Sequence, residues 1–194
     1  MATSGSSDFE LAVDEYIEEA FERCGLEIRT GYDLKTAKRS LNLLFADWAN
    51  RGLNRWTITQ TTTTITDGTT EYTLAADTID VLSAVIRENA GTASQTDTAI
   101  SRIGRDTYLN ISSKLTESRP TQFYIDRQII PKIRLYPTPN ATYSLVYDRL
   151  TRIEDADSAT NTVDVPFRFY PCLTAGLAYY LSIKKAPDRI TVLK

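Results

Sequence analysis

The hydrophobic period of this chain changes twice, from 3.6 residues to 2 just after Trp56, and back to 3.6 at Pro166. That pattern excludes a continuous helical bundle. It also excludes a βαβ repeat, which would alternate the two periods along the whole chain. It requires two helical segments flanking a β-rich one.

In the first segment Phe9, Val13, Ile17, Ala20, Phe21 and Cys24 recur at spacings of three and four. The spacing predicts a helix over residues 8–24, capped by Ser7 or Asp8 and stopped at Gly25. Leu34, Ala37, Leu41, Leu44, Phe45 and Trp48 form a second stripe, with Asp33 as candidate N-cap and Gly52 beyond its end. Two amphipathic helices with a short link make a hairpin, and neither can bury its stripe alone. The cover is expected from "VPFRFYPCLTAGLAYYLSIKKAPDR". Pro166 suits a first helical turn, Pro187 ends the run, and the stripe reads Leu173, Leu177, Tyr180 or Leu181, and Ile183. Ala175, Gly176 and Ala178 are small enough for another helix to come close, and with Trp48 they are the candidate helix-packing residues.

Between the helical segments lies "TITQTTTTITDGTTEYTL", with ten threonines in eighteen positions. A mucin-like stalk would mix prolines and serines among them, and none is present. Threonine is β-branched and Asp67-Gly68 is a hairpin signal, so the stretch reads as a folded β-hairpin with a hydroxyl-covered face. Strand-like runs continue through "IDVLSAVIRE", "TAISRI", "TQFYIDRQ", "PKIRLYPTP" and "ATYSLVYDRLTRI", with one helical turn in "GRDTYLNI". In "KIRLY" Ile133 and Leu135 alternate with Lys132, Arg134 and Tyr136, as a one-sided strand requires. The expected class is therefore α+β: a three-helix domain (a helical hairpin plus a C-terminal helix, residues 1–55 and 165–194) interrupted by an antiparallel β-sandwich or barrel-like insertion at 56–164.

The residue inventory removes much chemistry. The chain has no histidine, so no imidazole base and no Ser-His-Asp or Cys-His pair can form. Two cysteines without histidine cannot complete a typical zinc tetrahedron, and Cys24 and Cys172 are expected as two buried thiols rather than as a disulfide. There is no GxGxxG, P-loop or HExxH, and no cofactor is implied. Carboxylate neighbours such as Asp14/Glu15 and Glu18/Glu19 read as a solvated helix face rather than a catalytic pair. "RIEDADSATNTVDV" lacks calcium-loop spacing and reads as a surface loop. Tyr124, Tyr136, Tyr143 and Tyr147 could stack on bases or sugars, but in a β-domain they are expected as half-buried packing residues. No apolar run reaches the roughly eighteen residues of a membrane span, and the N-terminus lacks a secretory pattern. A soluble protein made in a cytoplasm is expected.

Charge is uneven. Residues 1–50 hold ten Asp or Glu against five Lys or Arg, a balance of −5, and residues 102–152 hold four against nine, a balance of +5. Such opposed ends would suit docking between subunits.

"IDVLSAVIRE", "RPTQFYIDRQIIPKIRLYPTP" and above all "VPFRFYPCLTAGLAYYLSIKKAPDR" resemble the head-to-tail adaptor (connector, or tail accessory) proteins of short-tailed bacteriophages, over roughly residues 9–190. A helical hairpin ending in "ADWANRGL", a β-insertion and a proline-led helix follow in the same order. The resemblance implies a structural virion protein of the neck, assembled in the host cytoplasm. A ring of twelve copies would dock beneath the portal, extend the DNA channel and present a platform for the next tail protein. Double-stranded DNA would pass without sequence-specific contact and no membrane is involved. On this reading Glu15, Glu18, Glu19 and Glu22 face the lumen or the neighbouring subunit, since an acidic wall repels phosphates. Family members often carry a further C-terminal arm that reaches onto the portal. Here Ile190, Thr191, Val192, Leu193 and Lys194 are the candidate docking residues, and the arm is either short or absent from this sequence. A different class of reading is a β-domain binding carbohydrate or peptide on a helical stem. A third is a tail-associated cell-wall hydrolase using two carboxylates.

Overall fold

In the computed structural model, which describes residues 5–194, helices α1 (Val13–Arg23) and α2 (Gly31–Asn50) come first. Strands β1 (Ile58–Ile65), β2 (Glu71–Thr73), β3 (Thr78–Glu88) and β4 (Thr96–Arg102) follow, then a single-turn helix α3 (Arg105–Leu109). Strands β5 (Gln122–Asp126), β6 (Lys132–Tyr136) and β7 (Tyr143–Thr151) precede helices α4 (Tyr170–Lys185) and α5 (Ile190–Leu193). The fold is α+β, as the two changes of period require. Two units separate: residues up to Trp56 together with Ile153–Lys194, and Thr57–Arg152.

In the helical unit α1 buries Val13, Tyr16, Ile17, Ala20 and Phe21, with Cys24 just beyond its end. The helix starts five residues later than its stripe predicts, and Phe9 is left 61% exposed. The cause is tertiary. Ala12 forms an isolated antiparallel bridge with Thr162, and the Val13 and Asp14 N–H groups donate to Asn161 O (2.9 Å) and Ala159 O (3.0 Å). These bonds hold the chain extended at residue 12 and satisfy first-turn donors that Ser7 or Asp8 would otherwise cap. Glu15 reaches back to accept the Ala12 N–H at 2.7 Å. At the start of α2 the cap is Thr30, and Asp33 is its partner in a capping box, accepting the Thr30 N–H at 3.0 Å. Both helices end at a glycine with positive φ, Gly25 (+70°) and Gly52 (+67°), each followed by an N–H that bonds back across the last turn: Leu26 to Phe21 O and Leu53 to Trp48 O.

Helix α4 supplies Leu173, Leu177, Ala178 and Leu181 to this core, all fully buried. Two expectations on α4 are corrected. Ile183 is 52% exposed and Ser182 faces inward instead, and Cys172 is exposed while Cys24 is buried, its thiol donating to Ala178 O at 3.3 Å. The segment 153–165 also belongs here, twelve positions earlier than the boundary at 165 that the sequence suggests. Ile153, Ala156 and Val165 enter the helical core, and the Asn42 side chain brackets Ala156, accepting its N–H at 2.8 Å. Three apolar residues spaced this widely match no period, so the run reads as a loop although it is anchored.

The β unit is one seven-stranded sheet in the order β1-β7-β3-β4-β5-β6-β2. All pairings are antiparallel except β4 with β5, where Ser101 faces Gln122. The long link between those strands, which carries α3, makes the parallel pairing possible. Asp67-Gly68 does form a turn, yet β1 and β2 do not pair with each other. β1 runs against β7 from Ile58↔Leu150 to Ile65↔Tyr143, while β2 pairs with β6. The Tyr72 hydroxyl ties the turn together, accepting the Thr66 N–H at 2.9 Å, and Gly68 donates to Pro139 O. The first and last strands of the sheet are thus joined by residues 66–70, a link of at most about 20 Å, so the sheet curls into a half-barrel. Its inner face packs Ile65, Val81, Ile86, Phe123, Leu135 and Leu145. Of the β1 threonines, Thr62 and Thr64 are exposed, whereas Thr61 and Thr63 are half-buried opposite Tyr147 and Leu145.

Candidate interaction surfaces

Among the described residues no group of His, Cys, Asp or Glu is placed to hold a metal, and no helix is long and apolar enough to cross a membrane. The surfaces of the two units are where chemistry can occur.

In the helical unit a groove of about 430 Å³ runs along the seam of α1 and the first turns of α4. All four glutamates singled out in the sequence line it: Glu15, Glu18, Glu19 and Glu22. One carries an ion pair, Glu19 with Arg23 at 2.9 Å, and Glu15 is used in capping Ala12. The other wall is apolar, from Phe9, Leu11, Tyr170 and Pro171. Phe167 meets Phe9 edge-on (6.3 Å between ring centres) and Tyr170 at 5.5 Å, while Tyr170 meets the buried Tyr16 at 5.5 Å. Burial, with Tyr170 alongside, pushes the Tyr16 phenol far above its ordinary range, so it stays protonated.

The other candidates scatter. Trp48 is buried, 6.4 Å from Trp56 and 6.0 Å from Phe169, and the Trp56 indole N–H donates to Asp164 O at 2.9 Å. Gly176 lies against Leu44, where a Cβ would stand 2.9 Å from Leu44 Cδ2, and Ala178 is fully buried. Ala175 is exposed. At the C-terminus Thr191, Val192 and Lys194 are exposed, while Ile190 and Leu193 are half-buried.

The β unit does not present a bare basic face. The Asp80 carboxylate receives Arg102 (3.0 Å on each oxygen) and Arg127 (2.7 Å). Burial pushes its pKa up, but the two guanidinium groups outweigh burial and hold it below the ordinary value. Asp126 receives Arg105 at 3.2 Å, and Glu71 bridges Lys132 (2.6 Å) and Arg134 (2.8 Å). Hydrogen bonding from Lys132 above all lowers the Glu71 pKa. Arg149 is matched by Asp77. The excess of +5 counted over residues 102–152 is therefore offset by acids on β2, β3 and the link before β3, which that window excludes. Tyr124 and Tyr147 are buried and Tyr136 and Tyr143 half-buried, the packing role expected of them. Tyr124 accepts from Arg105 Nε at 2.9 Å.

Sequence reasoning missed three features. The α2 surface carries Tyr32 (69% exposed), Lys35, Arg39 and Leu43 (53%) on one stripe. The β5–β6 turn presents Ile129, 97% exposed, beside Ile130. Asp80 gathers two arginines far from it in sequence, Arg102 at the end of the neighbouring strand β4 and Arg127 just past β5. The first two had signals: apolar residues on the wrong side of a stripe, and an apolar pair in a turn before Pro131. The third had none.

Comparison with curated proteins gives no match. A family model described as SU10 adaptor protein matches residues 12–191, spanning both units, and the chain belongs to that family.

Proposed function

We propose that this member of the SU10 adaptor family is a structural head-to-tail adaptor of a phage neck, forming a ring, of twelve copies by the resemblance, beneath the portal. The ring extends the DNA channel and offers a platform to the next tail protein, and it assembles from chains made in the host cytoplasm. The family match across both units carries the reading. The surfaces support it: an acidic groove, an exposed apolar turn and small helix-facing residues are equipment for interfaces. Glu15, Glu18, Glu19 and Glu22 are assigned to the lumen or a subunit interface, where carboxylates repel DNA phosphates and leave the duplex free to move. Trp48, Gly176 and Ala178 hold the helical unit together, with Ala175 available to a neighbour. Ile190, Thr191, Val192, Leu193 and Lys194 are assigned to portal docking, with Val192 the most exposed apolar group among them. The test is infection with this gene deleted. Heads that package DNA but lose it and carry no tail are expected, and complete, infectious particles would overturn the proposal.

A further inference from the structure

Two surfaces of the helical unit match each other in charge, spacing and apolar content. The first is the groove on α1 and α4, where Glu18 and Glu22 are exposed one turn apart and carry no ion pair among the described residues. The second is the outer stripe of α2, where Lys35 and Arg39 are exposed one turn apart and likewise unpaired among the described residues. Each pair spans about 6 Å along its helix. Apolar groups flank both pairs: Phe9, Tyr170 and Pro171 in the groove, Tyr32 and Leu43 on the stripe. No α2 residue lines the groove, so the two surfaces are distinct.

We infer that the α2 stripe of one copy of this chain seats in the α1/α4 groove of the next, with Lys35 and Arg39 opposite Glu18 and Glu22. This rests on the ring reading and names its contact. The occupant is a second copy because complementarity runs between two surfaces of one chain. A two-fold contact of the groove with itself would oppose glutamates, and of the stripe with itself cations. A contact between two different surfaces is heterologous, the kind that closes into rings. The mode is a helix laid in a groove with one acidic and one apolar wall, with the charges setting register.

A charge-swap experiment tests it, read by native mass of full-length protein alone and with the portal ring of the same genome. Glu18→Arg/Glu22→Arg and Lys35→Glu/Arg39→Glu are surface changes, and circular dichroism checks that each variant folds. Each variant alone is expected to lose self-association about tenfold or more. An equimolar mixture is expected to restore it, because the reversed groove of one variant accepts the reversed stripe of the other, in alternating order. Variants that assemble like the unaltered chain, or a mixture that stays dissociated, would overturn this contact and leave the ring reading standing. An unaltered chain that never associates, alone or on the portal, would remove the ring reading itself. Loss in the groove variant alone, with the stripe variant unaffected, would assign the groove to a different cationic partner and overturn the inference.

Discussion

Lys185, in the last turn of α4, closes on Asp33 in the first turn of α2, where the same carboxylate accepts the Thr30 N–H of the capping box. One acid thus completes the capping box of one helix and fastens the end of another. Its pKa is lowered to about 2, first by hydrogen bonding from Lys185 and then from Thr30.

That shift sets a pH dependence. A carboxyl with a folded pKa below its unfolded value of 3.8 stabilises the fold at pH values above 3.8. The contribution is lost as pH falls from there through about 2. Melting temperature measured against pH should therefore drop over that interval. Asp33→Asn should melt lower at neutral pH and show a flatter acid limb. An unchanged acid limb in the variant would assign the pH dependence elsewhere.

Gly176 of α4 lies against Leu44 of α2, where a Cβ would stand 2.9 Å from Leu44 Cδ2. Gly176→Val should cost about 1–3 kcal/mol, because a branched side chain must displace a buried leucine. Gly176→Ala should cost less, since the helix gain of alanine over glycine, about 1 kcal/mol, offsets part of the clash. Urea unfolding of both variants measures the difference.

In the β unit Asp80 is the shared acceptor of Arg102 and Arg127. Asp80→Ala should destabilise by about 2 kcal/mol, because charge-assisted bonds to a largely buried carboxylate are lost. Arg127→Ala should cost less than about 1 kcal/mol, since that guanidinium is mostly in water. The order of the two melting temperatures is the readout.

The two thiols should separate by accessibility. A thiol reagent is expected to label Cys172 at once in the native protein, and Cys24 only on unfolding. Rapid reaction of both under native conditions would contradict the packing of Cys24 against α4.

Legibility of the sequence followed the range of the interactions. The inward faces of α1 and α2 show in their periods because each has a polar back. α4 is apolar around much of its circumference, so spacing alone could not turn Cys172 and Ile183 outward. The start of α1 is set by bonds from residues 159–161, which no local cap signal reveals. Asp67-Gly68 is a true turn signal, but pairing beyond it is decided by β7 and β6, about seventy residues downstream. The α1 glutamates are visible as an acidic face, whereas the wall that makes them a groove includes Tyr170 and Pro171 from the far end of the chain.

The central claim is that this chain is a ring-forming adaptor that docks on a portal. Native mass of the purified protein, alone and mixed with the portal ring from the same genome, tests it most directly. The account predicts a defined complex in which a full ring of adaptor copies, about twelve by the resemblance, adds to one portal. A portal whose mass is unchanged at micromolar adaptor, with the natural C-terminus intact, would contradict it.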